Sequence, residues 1–71
     1  MDESTVVTIV LDELQKNGVA NQSLGRAFAR AFWRINSGKL AEISQAAAET
    51  MVREATAASA QVHKKKTLSG E

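Results

Sequence analysis

The chain reads as an all-α protein on three observations. It has no proline in 71 residues and only four glycines, so it lacks the punctuation that a sheet of tight turns needs. Alanine, glutamate, glutamine, lysine and arginine are plentiful, and all favour helix interiors. Apolar residues recur at spacings of three, four and seven, the period of one helix face. The predicted helices span residues 5–16, 22–36 and 39–62. The first two form an antiparallel hairpin, and a long alanine-rich helix returns along them. Together they make one domain, 1–62, followed by a basic tail, 63–71, expected to be disordered.

The first helix opens after Asp2 and Glu3, which lie near the positive end of its dipole, and Ser4 or Thr5 supplies the cap. Val7, Val10, Leu11 and Leu14 share a face that Val6 and Ile9 widen. The β-branched run 6–10 competes as a strand signal. The helical spacing continues to Leu14, however, and Lys16, Asn17 and Gly18 form a strong helix stop. Asn21 or Ser23 caps the second helix. There, Leu24, Phe28, Ala31, Phe32 and Ile35 fall within about a third of the circumference and are expected to form the core stripe. Asn36, Ser37 and Gly38 mark the next break; the alternative is one long helix bent at the Ser-Gly pair. In the third helix Leu40, Met51 and Val62 recur every eleven residues. With Ile43, Ala47, Ala55 and Ala58 they make a narrow stripe on a nearly straight helix. Glu54 falls within that stripe, where it either meets a basic partner or reaches water at the edge.

The net charge of +1 argues against a dedicated nucleic-acid coat protein. The charge is unevenly spread: Asp2, Glu3, Asp12 and Glu13 at the start, Arg26, Arg30, Arg34 and Lys39 in the middle, and Lys64, Lys65 and Lys66 near the end. The start lacks the positive charge of a secretory signal. The longest apolar run, 6–11 and interrupted only by Thr8, is far short of the roughly 20 residues that span a bilayer. A cytoplasmic location is expected. Cysteine is absent, which excludes disulfides. A chain this short sits near the limit of independent stability, so a homo-oligomer is expected, with the third helix or the Trp33 face at the interface. The self-association candidates are Leu40, Ala47, Met51, Ala58 and Val62.

No catalytic, metal or nucleotide motif is present, and no cofactor is expected. His63 is the only histidine and lies in the tail with nothing to orient it. The chain therefore reads as a non-enzymatic adaptor or regulator. The candidate partner-binding residues are Arg26, Arg30, Trp33 and Arg34. Trp33 is expected opposite the core stripe, beside three arginines spaced by four with no intervening acid. Arginine and tryptophan are enriched at interface hot spots. Packing of Trp33 on the first helix or a second subunit, with the arginines paired to Asp12, Glu13, Glu42 or Glu49, is the competing account. A self-assembling helical subunit is the alternative function. A small nucleic-acid-binding regulator, with Trp33 stacking on a base, is the third. The turn at 17–21 has the length of a helix-turn-helix, but Gln22, Ser23 and Arg26 are an unspecific reading set.

Overall fold

The computed structural model describes residues 1–69, with side chains described as far as Val62. Within it the chain forms three α-helices and no strand: α1 (Glu3–Lys16), α2 (Gln22–Glu42) and α3 (Gln45–Ser69). Each begins on a side-chain cap. Asp2 Oδ1 accepts from the Thr5 amide at 2.9 Å, so α1 starts before Ser4 and Thr5 rather than on them. Asn21 Oδ1 accepts from Leu24 N–H at 3.0 Å, and Ser44 Oγ from Ala47 N–H at 3.1 Å. α1 ends in a Schellman motif. Val19 N–H donates to the Leu14 carbonyl at 2.8 Å and Gly18 N–H to that of Gln15 at 3.0 Å. Gly18 takes φ 83°, a left-handed conformation that costs glycine little.

The break between α2 and α3 is later than the sequence predicts. α2 runs through Asn36, Ser37 and Gly38 to Glu42, and the chain turns at Ile43 (φ −110°, ψ 168°) and Ser44. Gly38 keeps helical dihedrals, since its φ is not positive. Asn36 Nδ2 donates back to the Phe32 carbonyl at 3.0 Å, so its side chain bonds within the helix instead of offering an alternative turn. One glycine in an exposed helix interior costs only about 1 kcal/mol, too little to end a helix whose next turn carries buried Leu40. α3 is helical as far as Ser69, and so takes in residues 63–69 of the expected tail. Gly70, Glu71 and the side chains beyond Val62, Lys64, Lys65 and Lys66 among them, lie outside the described residues.

The hub is α1. It packs on both α2 and α3, whereas α2 and α3 scarcely touch each other. Its buried residues Val6, Ile9, Val10 and Leu14 occupy most of the predicted face. α2 comes back along α1 with its smallest residues inward. Gly25, Ala29 and Leu40 are buried. A Cβ on Gly25 would lie 2.5 Å from Leu11 Cδ2 and 3.0 Å from Leu14 Cδ1, so any side chain here would have to push aside the ends of Leu11 and Leu14 where the two helices meet. The predicted core stripe of α2 is therefore corrected. Leu24 is 37% and Ile35 78% exposed, Ala31 is exposed, and Phe28 and Phe32 are half-buried against the core. Close backbone approach through Gly25 and Ala29 turns the bulkier row to the side.

α3 shows the same kind of shift. Its buried row is Ala48, Val52, Thr56 and Ala60, one position on from the predicted stripe. Leu40 belongs to α2 and Ile43 to the turn itself, so the eleven-residue repeat never forms one face. Thr56 is wholly buried, and its hydroxyl donates to the Val52 carbonyl at 2.7 Å, which removes the cost of an unpaired polar group. Glu54 is exposed and needs no buried partner.

Candidate functional site

The arginines of α2 lie together on one side of the helix, about a third of a turn from the row that faces α1. Arg26, Arg30 and Arg34 are all exposed. Arg26 and Arg30 line a shallow groove between α1 and α2 with Glu3, Ser4, Val7, Thr8 and Leu11. The floor is half-buried aliphatic surface, Val7 and Leu11. The rim carries two guanidinium groups and, at one end, Glu3. Thr8 directs its hydroxyl to the Ser4 carbonyl at 3.1 Å. Only the arginines of this groove stood out in the sequence. Val7 and Leu11 read there simply as core, because periodicity identifies an apolar face but not which edge of it a neighbouring helix leaves open.

Trp33 is half-buried and packed against the hydrophobic core, not set opposite it, although around the helix it stays next to Arg26 and Arg30. The physical reason is the rotation of α2: once Gly25 and Ala29 face inward, Trp33 lies on the inward half of the helix. The four candidate partner-binding residues therefore divide into three exposed arginines and one tryptophan that helps hold α2 in place. The self-association candidates divide too. Leu40 is buried within the chain, Met51 is half-buried against the core, and Ala47, Ala58 and Val62 are exposed, Val62 by 68%.

No carboxylate closes on the arginine row. Among the described residues Arg26, Arg30 and Arg34 form no ion pair; Asp12 and Glu13 of α1 are committed to other cations, and Glu3, at the end of the groove, is in no ion pair. Arg53 of α3 donates from a single Nη1 to Asp12 Oδ2 at 3.0 Å and to Glu13 Oε1 at 2.9 Å. Lys16 Nζ lies 3.2 Å from Asp12 Oδ2. Asn17 Nδ2 donates to the Glu13 carbonyl at 2.8 Å and reaches Glu13 Oε2 at 3.3 Å. Hydrogen bonds from Arg53, then Lys16, hold the Asp12 carboxyl below the ordinary aspartate range. The same contacts raise Arg53, Asp12 contributing more than Glu13. Thr5 likewise lowers Asp2 at the α1 cap. Sequence spacing pairs Arg53 with Glu49, four residues away. Glu49 instead accepts from Gln45 Nε2 at 3.1 Å, and Arg53 crosses to α1, a contact between residues some forty positions apart that has no local signal.

Among the described residues no three His, Cys, Asp or Glu side chains converge to hold a metal ion, and no helix is long and apolar enough to cross a membrane. Comparison with family models, curated proteins and solved structures gave no match.

Proposed function

We propose that this protein is a non-enzymatic helical interaction module that binds an acidic segment of a partner protein in the groove between α1 and α2. One observation carries the reading. Three exposed arginines stand in a row that forms no ion pair among the described residues, and two of them, Arg26 and Arg30, edge a groove with an aliphatic floor and a single acid, Glu3, at one end. Like charges at a spacing of four repel and slightly destabilise their own helix. An incoming acidic chain relieves that repulsion, and its apolar side chains cover Val7 and Leu11. Arg26 and Arg30 make the charge contacts, Arg34 extends the row, and Trp33 acts only by fixing the orientation of α2.

The test is binding of a fluorescent amphipathic peptide rich in Glu and Leu, measured by anisotropy against wild type and the double variant Arg26→Glu, Arg30→Glu. Circular dichroism should show unchanged helicity, since both side chains are exposed. Affinity should fall about tenfold or more, equivalent to at least ~1.4 kcal/mol. Equal binding by the two proteins would remove the reading. Tighter, steeply salt-dependent binding to single-stranded nucleic acid than to the peptide would favour a phosphate backbone as the natural occupant.

A further inference from the structure

A third side of α2, bordered at one edge by Arg34, has no role in the groove. It carries Leu24, Phe28, Ala31, Ile35 and Gly38, spaced by four, three, four and three. That alternation is a heptad seam, the pattern by which one helix packs along another. The five residues span roughly 21 Å of helix at 1.5 Å per residue. Little within the chain covers them: Leu24 and Ile35 are 37% and 78% exposed, Ala31 and Gly38 are exposed, and a Cβ on Gly38 would meet nothing within 4 Å. Only Phe28 is partly seated, its ring centroid 6.1 Å from that of Phe32.

We propose that this flank is a dimer seam, occupied in antiparallel orientation by the same flank of a second copy of the chain. Three features select a second copy. First, the seam has no charged side chain between 24 and 38, so the face of an identical chain covers it without desolvating an unpaired charge. Second, its sizes are self-complementary about a two-fold axis. The antiparallel register that sets Phe28 over Ala31 of the partner subunit also sets Leu24 over Ile35 of the partner subunit. Large meets small at the centre, and aliphatic meets aliphatic at both ends. A parallel pair would stack phenylalanine on phenylalanine and leave alanine facing alanine, a void that close packing disfavours. Third, Arg26 and Arg30 lie on the far side of α2 from the seam, and Arg34, at its edge beside Ala31 and Gly38, falls near Ala27 of the partner subunit in this register, so an isologous pair brings no like charges together. Both grooves remain open in such a dimer, which would present two acidic-segment sites at fixed separation.

The test uses the full chain in sedimentation velocity over about 1 to 200 μM, the range in which a small interface associates. Wild type should shift from monomer to dimer. Ile35→Glu, at the most exposed large position, should remain monomeric throughout with unchanged helicity. Because the protein has no cysteine, orientation is read by disulfide trapping. A mixture of Leu24→Cys and Ile35→Cys chains should yield the mixed cross-link in excess over either same-residue cross-link. A monomeric wild type, a dimer that survives Ile35→Glu, or preferential same-residue cross-links would each overturn the proposal. Peptide binding by the Ile35→Glu monomer keeps this outcome separate from that of the groove.

Discussion

Two glycines and one tryptophan carry most of the residue-scale argument. Gly38 lies in the exposed interior of α2 with open space around it. Gly38→Ala should therefore stabilise the protein by about 0.5–1 kcal/mol, because alanine loses less backbone entropy. In a chain of this size that is a rise of about 2–8 °C in Tm, readable by thermal melting. Gly25 is the opposite case. Gly25→Val should destabilise by about 1–3 kcal/mol, since its side chain must displace Leu11 and the buried Leu14. At concentrations where the protein is monomeric, Gly38→Val serves as control, carrying the β-branched penalty without the clash. Trp33→Ala should cost about 1–3 kcal/mol, as expected for a side chain packed against the core. Chemical denaturation checks this, and an unchanged midpoint would return Trp33 to the surface role its sequence neighbours suggest.

At the scale of elements, α3 depends on two attachments to α1. One is the small-residue row Ala48, Val52, Thr56 and Ala60; the other is the contact of Arg53 with Asp12 and Glu13. The second is pH-dependent, and its sign follows from Asp12. Its folded-state value is depressed, so the folded protein resists protonation more than the unfolded chain does. The stabilisation is complete above the unfolded aspartate value of about 3.9 and is lost as pH falls below it, through the folded value. Arg53→Gln should lower Tm at about pH 7, and the gap to wild type should narrow as pH falls below about 4. A gap that stays constant to about pH 2.5 would show that packing, not the charge contact, is what Arg53 contributes.

Across the whole molecule the helices are unequal. α1 is covered on two sides, while α2 and α3 each pack mainly on α1 and scarcely on each other. Small side chains bury little area, so α3 is held by less hydrophobic surface than α2 gains from Ala29, Leu40 and the half-buried Phe28, Phe32 and Trp33. Local opening should follow that order. In native-state hydrogen exchange, amides of α1 around Ile9 and Val10 should be the slowest, and those of α3 should exchange by a lower-energy opening. Equal protection of α1 and α3 would mean that the molecule opens only as a unit.

Composition and period sufficed for the all-α class, the first helix, the stop at Gly18 and the start of α2, because helix propensity, capping and left-handed glycine are local properties read within a few residues. The arginine row was legible for the same reason: a spacing of four is a statement about one helix. Three things were not. The inward face of α2 is set by how closely two helices approach at Gly25, which favours small residues over the bulky stripe that periodicity selects. The phase of α3 depends on a turn at Ile43 and Ser44 rather than at Ser37 and Gly38, and an alanine-rich helix offers little contrast between adjacent rows. The pairing of Arg53 with Asp12 and Glu13 joins helices distant in sequence, and it withdraws those two acids from the arginines of α2. Local chemistry thus determined which helices form and which residues could act. Tertiary packing decided which face of each helix was consumed by the fold and which remained exposed, because that choice is made between helices, where size and charge complementarity outweigh the pattern of any single one.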